Sequence, residues 1–404
     1  MSIRWVTSAV LPAAIAVVSL TAAASGQTAP APAAKPAPEA QPAPVAKPSP
    51  VAKPAPAAQP APVAKPAPAA KPAPAATATP AKSAKPYTPP KLPWGDPDLQ
   101  GQWPAASSIP MQRPANLGAR AELTAEELAQ REAQAAQAAA RDGEEFVAGD
   151  ASANVSINPP GYWVERGKPN KQASLVVDPP DGRIPPMTAK GKADVQALRG
   201  GLGPGSHFPD KVDSWEDFDN YSRCITRGPV TSLLPTLYNF GNQIVQGPGF
   251  VAVRSEMIHE TRVIPVVAAE KDGKPHIGRD IQIYTGDSRG HWEGNTLVVE
   301  TTNFKPDSGL GGGRFSASAK VVERFTRTAP DQLVYEATVD DPLTWTRPWT
   351  LRMPFNMDPS YVVYEYACHE GNYMMKNALK GAREKEREGQ DTKVLRTDRP
   401  PIQQ

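Results

Sequence analysis

Cysteine is almost absent from this chain of 404 residues, which contains only Cys224 and Cys368. A zinc site built from cysteine alone needs two close pairs, so this spacing excludes one. Two cysteines of one exported domain commonly pair, and closing so long a loop would stabilise the fold by roughly 4–5 kcal/mol. We therefore expect a Cys224–Cys368 disulfide. A catalytic thiolate at Cys368, beside His369, is the alternative.

Long apolar runs are also missing. The longest, residues 9–20, is too short to span a bilayer; it follows Arg4 and precedes the small residues 22–26. This order is typical of a secretory signal peptide that is cleaved after Ala24 or Gly26, and a retained membrane anchor is the alternative. We expect a periplasmic or secreted protein without membrane contact after cleavage.

Positive charge is lacking in the second part of the chain. The formal net charge is +2, but residues 1–91 contain Arg4, eight lysines and one acid, Glu39, a net of +8 that leaves −6 for residues 92–404. A nucleic-acid partner requires a basic face, and no cluster of basic and aromatic residues occurs in this acidic part. We therefore expect no nucleic-acid partner.

Five of the eight lysines of the first part lie in a repeat. Between Lys35 and Ala76, the six-residue unit [KQ]PxPxA occurs seven times. Proline at this density blocks helix and sheet hydrogen bonding and favours polyproline II, in which seven units would extend to about 130 Å. We interpret the repeat as a semi-rigid spacer, or as a tether whose lysines bind an anionic surface such as the cell wall.

Turn and strand signals divide the chain further. A signal peptide (1–26) and a disordered Pro/Ala/Lys-rich tether (27–92) precede an irregular segment (93–248) with one polar helix, which begins after Thr124 with a capping box to Glu127. An antiparallel β domain with a C-terminal helix (249–388) and a disordered tail (389–404) follow. The predicted strands are 250–257, 261–267, 281–285, 296–304, 321–328, 333–339, 350–354 and 362–367. Their short connections predict a mainly β fold, either barrel-like or a two-layer sandwich, with a few peripheral helices.

Several stretches of the chain resemble a family of uncharacterised exported bacterial proteins. They are PDLQG at 97–101, SLVVDPPDGRIPP at 174–186, GDSRGHWEGNTLVV at 286–299, VVERFTR at 321–327 and YEYACHEGNY at 364–373. The resemblance covers roughly residues 93–383 and leaves the proline repeat outside. It implies a shared fold and an exported location, and it transfers no catalytic role to any residue.

Reactive side chains are concentrated in a stretch that we interpret as a hairpin turn. They are Asp287, Arg289, His291, Trp292 and Glu293. Turn chemistry explains an aspartate there, but not an arginine, a histidine and a tryptophan in the same turn. Loops on a rigid scaffold often carry function, and a histidine beside a carboxylate can act as a general base near neutral pH.

Other polar residues at predicted strand ends complete the candidate site. We predict catalytic roles for His291, Glu293, His369 and Glu370, and ligand-binding roles for His259, Asp287, Arg289, Trp292 and Tyr364. If the strand ends converge, the three histidines with a carboxylate would also form a metal site, although we expect no metal and no cofactor. For each residue taken singly, ordinary ion pairing or turn capping is the alternative.

Aromatic residues and a few fixed charges indicate a small-molecule pocket. The aromatic residues concentrated in the β region are Tyr238, Trp292, Phe304, Trp345, Trp349, Tyr364 and Tyr366. Glu323 and Arg324 are neighbours within one predicted strand. One of those two charges must face the interior, where it needs an ion pair or a ligand. We therefore expect a protein that binds a small molecule; the alternatives are a periplasmic hydrolase, lyase or hydratase that uses the histidine–carboxylate cluster, and a cell-envelope scaffold.

Overall fold

The computed structural model describes residues 87–142, 163–197, 212–267, 276–305, 308–310 and 313–390. All of these residues belong to one compact unit, Pro80–Gln404. The predicted signal peptide, the proline repeat and the charged tail after residue 390 lie outside the described residues.

Two antiparallel sheets form the framework. The larger sheet contains, in spatial order, β2 (Val176–Asp178), β12 (Trp349–Asn356), β11 (Gln332–Asp340), β10 (Lys320–Ala329), β7 (Thr296–Thr302) and β6 (Asp287–Glu293). The smaller sheet contains β1 (Gly101–Gln102), β3 (Asn242–Gly247), β4 (Phe250–Ser255) and β5 (Thr261–Pro265). A short hairpin of β8 (Gly309–Leu310) and β9 (Gly313–Arg314) forms a third, two-stranded sheet.

Alternation of apolar and polar side chains explains how the sheets pack. Along β11, Leu333, Tyr335, Ala337 and Val339 are each at most 1 % exposed, while the residues between them are less buried. The same inner face continues on the smaller sheet, for example at Val253, and one hydrophobic cluster contains the inner residues of both sheets. The mainly β, sandwich-like fold is therefore confirmed, and the described strands do not close into a barrel.

The two sheets are also joined by polar contacts. The Val267 amide donates to the Gly290 carbonyl at 2.9 Å, which places the chain after β5 alongside β6. In the interior, the Arg262 guanidinium of β5 makes a two-bond ion pair with Glu323 of β10, at 2.5 and 2.8 Å. Tyr335 donates its hydroxyl to the same carboxylate at 2.9 Å. The buried charge expected at Glu323 is thus paired within the protein, across the sandwich.

The described residues contain three α-helices outside the sheets: α1 (Ala125–Asp142), α2 (Ala189–Ala197) and α3 (Met374–Arg387). The capping box of α1 is confirmed, since Thr124 and Glu127 exchange hydrogen bonds at 2.9 and 3.2 Å, and α1 buries no residue. Helix α3 packs through Ala382 against Val212 and Phe218. Within the described part of the chain, no helix has the length and apolar character needed to cross a membrane.

Four segments differ from the sequence-based expectation. Residues 287–293, interpreted as a turn, form strand β6, because their small and charged side chains alternate between the two faces of the sheet. Residues 281–285 and 362–367, predicted as strands, form neither a strand nor a helix. Strand β3, in contrast, was not expected, because Asn242, Gln243 and Gln246 interrupt its apolar pattern.

Candidate functional site

The expected disulfide is present. Cys224 and Cys368 are bonded, with their Cα atoms 5.7 Å apart and a sequence separation of 144. The thiolate alternative at Cys368 is therefore wrong. The bond joins a turn that precedes the smaller sheet to the irregular segment that connects β12 with α3. It thereby brings the side chains around both cysteines together.

Three tyrosine hydroxyls meet beside this disulfide. The Tyr221 hydroxyl oxygen lies 3.3 Å from that of Tyr366 and 3.5 Å from that of Tyr238. Burial raises the pKa of Tyr221 and Tyr238 to about 12 and also raises the pKa of Tyr366, so all three are neutral hydroxyls at neutral pH. Each can donate a single proton, and distances of 3.3–3.5 Å are long for O–H···O hydrogen bonds.

The Arg227 guanidinium supplies positive charge to the same place. It lies close enough to lower the pKa of all three tyrosines, although burial outweighs this effect. Arg227 is half-buried, and burial lowers its own pKa. Among the described residues, no carboxylate oxygen lies within 4 Å of a nitrogen of this guanidinium. We call Tyr221, Arg227, Tyr238 and Tyr366 the tyrosine–arginine cluster.

Unusual backbone conformations surround the cluster. Cys224, Asn239, Ile258 and His259 have positive φ angles of 55°, 51°, 63° and 45°. Such angles are uncommon outside glycine, and for a β-branched residue such as Ile258 they are true outliers. They persist only where the surrounding structure imposes them, and they concentrate at functional sites. Four such residues around one cluster therefore favour a functional role for it.

A buried carboxylate holds the segments that carry the cluster. Glu256 is fully buried and accepts hydrogen bonds from the Asn239 side chain at 2.8 Å, the Tyr361 hydroxyl at 2.8 Å and the Tyr364 amide at 3.2 Å. The Tyr361 hydroxyl also lies 3.1 Å from a carboxylate oxygen of Glu165. Burial raises the pKa of Glu165 and outweighs the hydrogen bonds that lower it. Two carboxylates thus share one phenol next to the cluster.

The predicted ligand-binding residues of β6 make contacts that fix a neighbouring loop. Asp287 is buried and accepts hydrogen bonds from the His276 ring at 2.8 Å, the Ile277 amide at 3.1 Å and Arg289 at 2.6 Å. The other ring nitrogen of His276 lies 3.4 Å from Glu300. Both ring nitrogens therefore face carboxylates, and the arrangement holds residues 276–277 against the sheet.

The remaining candidates of β6 lie on its two faces. His291 contacts Glu293 at 3.3 Å, and Glu293 accepts a hydrogen bond from Arg324 at 2.7 Å on the outer face of the larger sheet. The Arg324 hydrogen bond is the first cause of the lowered pKa of Glu293, whose side chain is half exposed. Trp292 points the other way and packs against the core. These contacts do not join His291 to His259 or His369.

The remaining predicted residues lie near the disulfide. The His259 ring contacts the Tyr366 carbonyl at 2.8 Å, while His369 and Glu370 lie exposed in a turn. Tyr364 is 66 % exposed. Among the described residues, no group of three or more histidine, cysteine or acidic side chains is placed to hold a metal ion. The convergence of the three histidines at the strand ends, on which the metal alternative depended, is therefore wrong.

Sequence reasoning found part of the cluster and missed Tyr221 and Arg227. Both lie within three residues of Cys224, in YSRCITR. Because Tyr366 is two residues from Cys368, the predicted disulfide already required these side chains to approach each other. The pairing of the cysteines was therefore the signal that could have identified the cluster.

Comparison of the chain with protein-family models finds no match, and comparisons with curated proteins and with solved structures find none either.

Proposed function

We propose that this protein binds a small anionic molecule at the tyrosine–arginine cluster. The observation that carries the proposal is the meeting of three neutral phenol hydroxyls beside the Arg227 guanidinium, which has no ion-pair partner among the described carboxylates. A carboxylate or phosphate group would accept hydrogen bonds from the hydroxyls and balance the charge of Arg227.

The surroundings of the cluster indicate an aromatic or apolar body for the ligand. The Trp163 ring lies 6.3 Å from the Tyr238 ring, centroid to centroid, and is 54 % exposed. Leu237 and Tyr364 are also more than half exposed. An aromatic ring that carries an anionic group would contact these side chains while its charge reaches Arg227.

Thermal unfolding with a small panel of probes tests the proposal. Benzoate, acetate and inorganic phosphate supply the charge, and benzamide is the neutral analogue of benzoate. We expect benzoate to raise the unfolding temperature in a saturable manner, because a ligand that binds only the folded state stabilises it by mass action. Benzamide should have little effect. Binding should be constant up to about pH 10 and weaken towards pH 12, where ionised tyrosines repel an anion.

A pair of variants locates the effect. Arg227→Gln should abolish the stabilisation, whereas Arg324→Gln, which removes an exposed arginine paired with Glu293, should retain it. Equal stabilisation of both variants by benzoate, or no response of the native protein to any probe, would contradict the proposal.

An enzyme that performs acid–base chemistry is the second candidate. It is favoured by Glu165, whose raised pKa and shared contact with Tyr361 are properties of a general acid. This assignment moves the proposed chemistry away from His291 and Glu293. The test is to incubate a bound ligand with the protein and to analyse it by mass spectrometry. Conversion that Glu165→Gln eliminates without loss of binding supports an enzyme, and recovery of the unchanged ligand contradicts it.

We also propose that the protein is exported to the periplasm or beyond. The disulfide supports this location, because such bonds persist in oxidising compartments, and so does the N-terminal pattern of a signal peptide. N-terminal sequencing of the protein from the periplasmic fraction should find a chain that begins at Ser25 or Gln27.

A further inference from the structure

A cavity lies on the outer side of the larger sheet, apart from the residues of the tyrosine–arginine cluster. Its volume is about 560 Å³, within the range of small-molecule sites. Polar residues from β2, β11, β12 and the preceding loops line it: Arg113, Ser174, Asp178, Glu336, Thr350 and Arg352. We propose that this cavity binds a polyhydroxylated monoanion, of which a sugar acid is the simplest representative.

The need for an anion follows from Arg113. This residue is only 3 % exposed, yet no carboxylate among the described residues lies within 4 Å of its guanidinium nitrogens. Its Nη1 donates to the Pro180 carbonyl at 2.7 Å, a neutral acceptor that does not balance the charge. Buried charges are normally paired, because taking an unpaired ion out of water costs several kcal/mol. A bound anion would supply the missing partner.

The charges around the cavity limit that ligand to one negative charge. Arg352 pairs with Glu336 at 2.8 Å, and Asp178 pairs with Arg347 at 3.2 Å. These two pairs are neutral together, which leaves Arg113 as the single uncompensated charge. A dianion would therefore place its second charge near Asp178 or Glu336, where it would be repelled.

The other polar groups of the cavity favour hydroxyl groups on the ligand. The Ser174 hydroxyl donates to the Val176 carbonyl, and its lone pairs remain available as acceptors. Thr350 hydrogen-bonds to Thr338 at 2.9 Å. Arg352 and Glu336 are 49 % and 28 % exposed at their side chains, so each can bind a further donor or acceptor. Alternating donors and acceptors of this kind match the hydroxyl groups of a sugar ring.

Isothermal titration of the full, oxidised chain tests this inference. The probes are sodium D-glucuronate, D-glucose as the neutral polyol, and sodium acetate as the bare carboxylate. We expect saturable binding of glucuronate and at least about tenfold weaker binding of the other two, because each lacks one of the two features recognised. If acetate binds as tightly as glucuronate, the ligand is not recognised by its hydroxyl groups and that part of the proposal is wrong. If glucuronate binding does not saturate, the cavity is not a specific anion-binding site.

Variants place the binding in the cavity. Arg113→Gln should weaken glucuronate binding at least about tenfold. Because replacing the buried Arg113 can also change stability, Ala121→Trp provides an independent test. Ala121 lines the cavity and is exposed, and its larger replacement would occupy the space. Ala136→Trp, on the exposed surface of α1, is the matched control and should bind normally. Binding that survives Ala121→Trp, or that is lost in Arg227→Gln, would overturn the proposal.

Discussion

The neighbouring residues Glu323 and Arg324 have opposite environments, although both are charged. Glu323 faces the interior, is fully buried and pairs with Arg262, whose side chain is 7 % exposed. Arg324 faces outward and pairs with Glu293, with side chains 39 % and 50 % exposed. The loss of unfolding free energy on removing one partner should therefore differ greatly between the two pairs. In the buried pair the remaining charge is left uncompensated in the core, whereas water replaces the missing partner of the exposed pair.

Replacement of Glu323 by alanine should therefore lower the free energy of unfolding by about 3–5 kcal/mol. Glu293→Ala, the matched exposed change, should lower it far less, because water replaces the lost partner. Urea unfolding followed by circular dichroism measures both. The double variant Arg262→Met with Glu323→Leu should be more stable than Glu323→Ala, because it leaves no unpaired charge in the core. If the double variant is less stable than Glu323→Ala, the Arg262–Glu323 ion pair itself stabilises the fold and does not merely cancel two buried charges.

At the scale of single elements, the sequence predicts strands well where apolar and polar residues alternate. Strands β10, β11 and β12 were predicted to within two residues at each end, because inward-facing Val, Leu, Phe and Tyr alternate with Thr, Glu and Arg. Prediction failed at β6, where Ser288 and Gly290 occupy inward positions that apolar residues usually fill. Gly290 is favoured there by its close neighbour Ile264, whose Cγ2 atom lies 3.1 Å from the position a Cβ would take.

The candidate site was less predictable than the strands, for a physical reason. Its residues come from segments without regular structure, which are positioned by the disulfide and by the hydrogen bonds of Glu256 rather than by a sheet. Periodicity carries no information about such segments. The cysteine pair was the one long-range constraint that the sequence revealed, and it indicates the region of the tyrosine–arginine cluster.

The disulfide is the element whose removal should affect the cluster most. Replacement of both Cys224 and Cys368 by serine should lower the free energy of unfolding by about 5 kcal/mol, because a closed loop of this length restricts the unfolded chain. Urea unfolding with and without a reductant measures the effect. Reductant should destabilise the native protein by a similar amount and leave the double serine variant unchanged.

Amide hydrogen exchange shows which parts of the structure are destabilised when the disulfide is removed. In the double serine variant, amides of 361–373 and 219–226 should exchange faster, since few sheet hydrogen bonds hold them, while β10 and β11 stay protected. Uniformly faster exchange across the sheets would instead show that the disulfide supports the whole sandwich.

At the scale of the whole molecule, charge is divided between two parts of the chain. Residues 1–91 carry a net +8 and residues 92–404 a net −6. Attraction of the protein to an anionic polymer must therefore come from the first part, since the second is repelled by it. The lysines of the repeat recur at intervals of six or twelve residues and present this charge along an extended chain.

Deletion of residues 35–76 separates a tether from a plain spacer. If the lysines bind the cell wall, the mature protein should sediment with purified cell-wall material at low salt and be released as salt is raised, because screening weakens contacts between exposed charges. The deletion variant should remain in solution, while its thermal unfolding should match that of the intact chain, because the compact unit begins at Pro80. A variant with all lysines of the repeat changed to glutamine keeps the length and the prolines and should also remain in solution. Sedimentation that is unaffected by both variants would assign wall binding to the folded unit and leave the repeat as a spacer.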